Sequence, residues 1–234
     1  AGGGSSLLDH HEAHPINIKV LFMKFYDIVC IGNYTKDTII TPSGTQYVDG
    51  GAVNYAAHAA VRLGARVAVI THLAREDDRV VEKFIASGID CYPTYTPSST
   101  MMKLEYPTTN PDIRDLFVTA TAGSITASEL ENLNAKAAVI GSSLRGEVGM
   151  DMICALKAKG IIVAADMQGF VRVLRDRKLN YEPWPEMAAT LAHVDVVKSD
   201  AVEAEFLTGE TDIFKAAKFF AAMGPREIVL THKN

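Results

Sequence analysis

Cysteine is scarce in this chain: Cys30, Cys91 and Cys154 are the only three among 234 residues. Their odd number, wide spacing and apolar neighbours exclude a disulfide framework and a cysteine metal site. They read as buried free thiols in a reducing compartment. No apolar run reaches the length of a bilayer span, so no membrane partner is expected. Basic excess is missing as well. The formal net charge is −5, which gives no reason to expect a nucleic acid or anionic membrane partner. A basic start followed by an apolar core, the mark of a secretory signal, is also lacking, and the setting indicated is cytoplasmic. After Gly32 comes Asn33-Tyr34-Thr35-Lys36-Asp37 instead of G-x-G-x-x-G, and no G-x-x-x-x-G-K-[ST] occurs, which excludes the usual dinucleotide and P-loop devices. His58, His72, His193 and His232 are dispersed, and no Ser/His/Asp or Cys/His arrangement emerges from the spacing.

What is present is an ordinary globular balance, 48% apolar and 22% charged residues, in a chain long enough to bury a substantial core. Residues 1–22 stand apart. A Gly/Ser-rich start leads into Asp9-His10-His11-Glu12-Ala13-His14, which reads as a flexible leader or upstream extension in preference to a metal site. The folded unit is expected over 23–234, starting near Met23. Near-continuous apolar runs of strand length recur at 26–32, 66–71, 135–140, 161–165, 194–197 and 227–231. Helical patterns separate them, at 54–63, 77–86, 127–133, 147–159, 201–207 and 213–222. This alternation predicts parallel βαβ units, hence an α/β doubly wound sheet with helices on both faces and ligands beyond the carboxyl ends of its strands. The region 91–122 breaks the rhythm with Thr, Tyr, Pro and β-branched residues. It is expected to stand outside the main sheet, paired with the segment near 37–49 as a small β-sheet lid.

The most informative stretch is Gly50-Gly51-Ala52-Val53-Asn54, opening an alanine-rich helix that Gly64 stops. Two residues without a Cβ let bound matter approach the backbone. The helix behind them aims unsatisfied N–H groups at that spot. A tight turn before a closely packed helix explains the same letters, and on local grounds both readings stand. Asp37 and Asp166 each follow a strand, as ligand contacts or as solvated turn and cap residues. Asp200 and Glu203 fit a capping box as well as they fit a metal site.

In their order along the chain these pieces resemble the ribokinase-like (PfkB) family of carbohydrate and nucleoside kinases. The resemblance rests on the strand leading to Asp37, Gly50-Gly51-x-x-Asn54 with Leu63-Gly64-Ala65, Ala74-Arg75-Glu76-Asp77-Asp78, Asp166-Met167-Gln168-Gly169-Phe170-Val171-Arg172, the block from Lys198 to Gly209, and Ile228-Val229-Leu230-Thr231. It implies a three-layer α/β/α sandwich with a β-sheet lid, and transfer of the ATP γ-phosphate, with Mg²⁺, to a hydroxyl of a sugar, polyol or nucleoside. Asp37, Gly50, Gly51 and Asn54 would hold the acceptor. Glu203 and Asp200 would organise the metal, and Lys198, Arg172 and Thr231 would face the nucleotide or phosphates. The resemblance also admits a homodimer formed through the lid. Asp200 stands where the family usually has Asn. The family's Gly-Ala-Gly-Asp motif, which supplies the catalytic base and an anion hole, is absent from the 234 residues. The unit is therefore expected to be incomplete at its C-terminal side and not to complete the transfer. The rival reading is a non-catalytic sugar- or polyol-binding or regulatory module that retains the acceptor pocket.

Overall fold

The computed structural model describes residues 24–110 and 113–232; the expected leader over 1–22 and the start at Met23 lie outside them. The first strand, β1 (Phe25–Ile31), carries Val29, Cys30 and Ile31 with no exposed surface. Burial on both faces is what a continuous apolar run predicts for a central parallel strand. The chain then leaves the main sheet for β2 (Thr35–Thr41) and β3 (Gly44–Gly50), before α1 (Ala52–Arg62) brings it back to β4 (Val67–Ala74). Next come α2 (Arg79–Ala86), β5 (Asp90–Thr96), β6 (Thr100–Glu105), β7 (Asp115–Ala120), β8 (Asn134–Ile140), α3 (Met150–Ala158) and β9 (Ile162–Asp166). The last part comprises α4 (Gln168–Val171), β10 (Arg172–Arg175), β11 (Lys178–Tyr181), α5 (Met187–Leu191), β12 (Val196–Asp200), α6 (Ala201–Thr208), α7 (Ile213–Ala221) and β13 (Glu227–Thr231).

Seven strands form a parallel sheet in the order β13-β12-β9-β8-β1-β4-β5. Alternate residues of its strands feed two cores. On one face Cys30, Val67 and Val69 pack under α1 and α2. On the other, Val29, Ile31, Val163 and Val197 pack against Met152 and Leu156 of α3, Leu191 of α5 and Phe220 of α7. The result is the expected three-layer α/β/α sandwich. A second, mixed sheet has the order β10-β11-β7-β6-β2-β3, with β2 parallel to β6 and the other pairs antiparallel. No helix among the described residues is long and apolar enough to cross a membrane.

Several expectations need correction. The region 91–122 does not lie wholly outside the main sheet, because β5 pairs with β4 along its whole length. Pro93 is tolerated there since β5 is an edge strand and its missing N–H breaks no second ladder. The helix expected over 127–133 is a single 3₁₀ turn, Ala127–Leu130. Buried Leu130 and Leu133 and the strand that starts at Asn134 leave no room to propagate it. The helix expected from 147 begins at Met150, because Glu147 turns inward. Only Cys30 of the three cysteines is buried; Cys91 is half-buried and Cys154 exposed. Met152, Ile153 and Leu156 claim the inner face of α3, and helical periodicity puts Cys154 outside. The hairpin β10–β11 has no glycine or asparagine signal. Its two turn residues, Asp176 and Arg177, take φ of 48° and 67°, the geometry of a two-residue primed turn.

Candidate functional site

The carboxyl ends of β1 and β8, the start of α1 and the inner face of the second sheet surround a cavity of about 230 Å³. Gly51, Ala52 and Tyr55 supply one wall from α1, and Ser143 and Gln168 supply another. Thr35, Asp37, Met102, Leu104 and Leu116 come from the second sheet, with Arg114 and Arg172 at the rim. Both glycines of the pair are required by this geometry. A Cβ on Gly50 would stand 2.2 Å from Asp37 Oδ2 and 2.6 Å from Thr35 Oγ1. Gly51 caps α1 with φ of 94°, and a Cβ there would meet the Asn33 carbonyl at 2.8 Å. No side chain among the described residues caps that helix; the Asn54 N–H donates to the Gly51 carbonyl at 3.0 Å, which leaves the Ala52 and Val53 N–H groups as the open ones of the first turn. The packing reading of Gly50-Gly51 is thus realised, Gly51 pressed on backbone and Gly50 clearing space for the Asp37 carboxylate.

Asp37 is the polar centre of the cavity. Burial raises its carboxyl pKa above the ordinary value, and the nearby Asp49 charge adds to that, against a lowering by Thr35. Asp37 Oδ1, Thr35 Oγ1 and Ser142 Oγ are buried without hydrogen-bond partners among the described residues. Native proteins seldom leave such atoms unpaired; Asp37 and Thr35 line the cavity, whereas Ser142 sits against Gly169 outside its lining. Asn54 is placed differently. It lies in the first turn of α1, but its amide donates to the Asp49 carbonyl at 3.1 Å.

A second cluster gathers where β9, β12 and β13 end in register, with Lys198 opposite Asp166 and Asp200 opposite Thr231. Lys198 Nζ lies 3.1 Å from Asp166 Oδ2. The capping box is formed: the Glu203 amide donates to Asp200 Oδ1 at 2.7 Å, and Glu203 Oε2 accepts from the Asp200 amide at 3.2 Å. Burial raises the Glu203 pKa, and repulsion from Asp200 and Asp166 adds to the shift despite the counter-pull of Arg172. Arg172 Nη2 lies 3.8 Å from Glu203 Oε1 and also lines the cavity, so it joins the two clusters. Thr231 Oγ1 donates to the Ser199 carbonyl at 3.5 Å. No group of three His, Cys, Asp or Glu among the described residues is placed to grip a metal ion directly. Sequence reasoning had not singled out Arg114, Ser143 or Gln168. The usable signal for Ser143 was Ile140-Gly141-Ser142, a strand followed by glycine like Ile31-Gly32-Asn33.

The model of the pfkB family carbohydrate kinases matches residues 23–232. The chain belongs to that family. A solved pyrophosphate-dependent kinase of the ribokinase family in complex with sulfate is similar at 31% identity and a TM-score of 0.83, over 88% of this chain and 73% of the other. A pyrophosphate-dependent kinase of the ribokinase family complexed with a pyrophosphate analog and myo-inositol is similar at 30% identity and a TM-score of 0.81, with the same coverage. The cytidine kinase of Thermococcus kodakarensis is 26% identical over 211 residues, 88% of this chain and 72% of the relative. The cavity lies beside a cationic and acidic set at the strand ends, and Arg172 joins the two. The family supplies the coarse chemistry of phosphoryl transfer to a sugar, polyol or nucleoside, with a phosphate donor and a metal ion.

Proposed function

We propose that the cavity receives a single-ring polyol of the myo-inositol class and that one of its hydroxyls is the phosphoryl acceptor. The observation that carries this reading is the cavity itself, about 230 Å³ around the unpartnered Asp37 Oδ1 and Thr35 Oγ1. It is smaller than the roughly 300 Å³ at which drug-sized pockets begin, which suits one ring better than a nucleoside's two. Asp37 accepts from vicinal hydroxyls, and Gly51 and the α1 N–H groups receive the ring. The second sheet acts as the lid that keeps water out.

The donor side is Arg172, Lys198 and Thr231. The donor is ATP by the family resemblance and pyrophosphate by the solved neighbours; both present the same phosphoanhydride to a guanidinium and an ammonium. Asp200 and Glu203 fit a hydrated Mg²⁺ held through its waters, since no direct ligand set converges among the described residues. The ion, when bound, neutralises charge on the transferring phosphoryl group. No Gly-Ala-Gly-Asp base motif lies within the 234 residues, so these residues by themselves are expected to bind without turnover. The second reading is a polyol-binding module that keeps the same cavity.

Calorimetry of the full chain against myo-inositol, ribose and cytidine tests the acceptor. Expected are tightest binding of myo-inositol, at least tenfold weakening in Asp37→Asn from loss of a charge-assisted hydrogen bond, and tighter binding with Mg²⁺-pyrophosphate or Mg²⁺-ATP present. Preference for cytidine overturns the polyol assignment, and polyol affinity indifferent to either donor favours the binding module. The homodimer through the lid is proposed on the same terms, with Ile39 and Tyr106 lining an open groove on the second sheet beyond the cavity.

A further inference from the structure

The shape of the cavity depends on a carboxylate outside its lining. Glu147 lies between β8 and α3 and is only 2% exposed. Its Oε1 accepts the Asn33 amide N–H at 2.5 Å, and its Oε2 accepts the Ser143 amide N–H at 3.0 Å. Asn33 opens the β1–β2 connection that delivers Thr35 and Asp37, and Ser143 lines the cavity from the β8 exit. The Asn33 carbonyl is the atom against which Gly51 rests. The two strand ends are equally close. A Cβ on Gly32 would stand 2.4 Å from the Gly141 carbonyl, and one on Gly141 would meet Ala52 Cβ at 3.0 Å. Three walls of the cavity therefore meet around one buried side chain. A buried carboxylate held by amides alone adds little net stability, so its place asks for another explanation.

We propose that Glu147 is a positioning residue for the acceptor cavity, clamping the β1–β2 and β8–α3 connections in the geometry that presents Thr35, Asp37, Ser143 and Gly51 to the acceptor. The inference rests on the acceptor reading of that cavity. Its chemistry is specific to an ionised carboxylate. A protonated acid keeps a donor on one oxygen and cannot accept fully from both amides, and a glutamine has the same defect. Burial pushes the Glu147 pKa up to about 7, against the amides of Asn33, Ser143 and Leu144 that favour the charged form. Among the described residues, no charged side chain bonds to it. Arg145 turns away to the carbonyls of Phe170, Glu182 and Pro183. His72 stands behind Asn33, bonded to the Ala122 carbonyl and Glu129. Asp37 lies on the cavity side.

The test is myo-inositol binding by the full chain between pH 6 and 8.5, with thermal melting alongside. Expected is wild-type affinity falling about tenfold towards pH 6, the scale of one unpaired buried amide. Glu147→Gln should bind about tenfold more weakly at pH 8.5, with a flat profile and no loss of melting temperature. A residue with only a structural role would lose melting temperature and affinity together. Wild-type affinity independent of pH, Glu147→Gln within twofold of wild type, or a pH dependence abolished by His72→Asn in place of Glu147→Gln, overturns the proposal. Should the variant not fold, the wild-type profile decides. Should no polyol, sugar or nucleoside bind the wild type, the acceptor reading fails by itself. Amide hydrogen exchange at Asn33 and Ser143 then tests the clamp: about tenfold lower protection in Glu147→Gln supports it, and unchanged protection overturns it.

Discussion

Gly50 and Asp37 form one device at the scale of single residues. Gly50 has no left-handed backbone to protect; what it protects is the volume taken by the Asp37 carboxylate. Gly50→Ala is therefore expected to fold, to cost about 1–3 kcal/mol through overpacking, and to lose acceptor affinity by a larger factor than stability alone accounts for. Paired melting and calorimetry check this. Asp37 itself carries a penalty of placement. Its folded pKa is raised by burial, so its contribution to stability is fully present below the unfolded carboxyl pKa and is lost as pH rises through the folded one. At neutral pH the buried charge is a liability, and Asp37→Asn should melt about 1–3 °C higher while binding less well. A lower melting temperature would contradict that assignment of the strain. The glycine pair was legible because a missing side chain is visible in a sequence. The carboxylate it accommodates was legible only as a residue past a strand, since what makes Asp37 special is a contact with Gly50 across the β2–β3 hairpin.

Elements were legible in proportion to how local their causes are. The strands of the parallel sheet announce themselves by apolar runs, and α6 by its capping box, all contained within a few adjacent residues. β5 was misplaced because whether proline is tolerated depends on being at an edge, a fact of the whole sheet. The β10–β11 hairpin was missed because its turn uses Asp176 and Arg177 where glycine would have signalled it. The joint between the two sheets was invisible for the same reason. Asp49, at the end of β3, accepts from both terminal nitrogens of Arg79 at 2.8 Å, from Lys83 at 2.6 Å and from Tyr34 at 2.8 Å. These partners lie 15 to 34 residues away in sequence. The Arg79 guanidinium above all, then Lys83 and Tyr34, hold its carboxyl well below the usual range. The stability it lends is present above the unfolded pKa of about 3.9 and is lost as pH falls below it. Arg79 is half exposed, so solvent discounts the pair, and Asp49→Ala is expected to cost about 1–2 kcal/mol. In urea titrations the difference from wild type should shrink below pH 4; a constant difference would remove the ionic share.

At the scale of the molecule, the order of motifs made the family legible, whereas the depth of the cavity and the clamp beneath it needed the fold. Half of the residues that line the cavity come from strands of the second sheet, the part whose boundaries sequence placed least well. The proposed homodimer is a question at this scale too. Sedimentation velocity at micromolar concentration should show a dimer that Ile39→Asp dissociates; a monomer for both chains would eliminate it. One further consequence follows from the strand order. β1, which precedes the other six strands of its sheet in the chain, lies inside that sheet between β4 and β8. On the ribosome it acquires β4 early, but its other edge stays bare until Asn134–Ile140 has been synthesised. Parallel pairing across such separations forms slowly. The half-made chain therefore presents an apolar, unpaired strand edge throughout that interval, the kind of surface that chaperones engage and that aggregates in their absence.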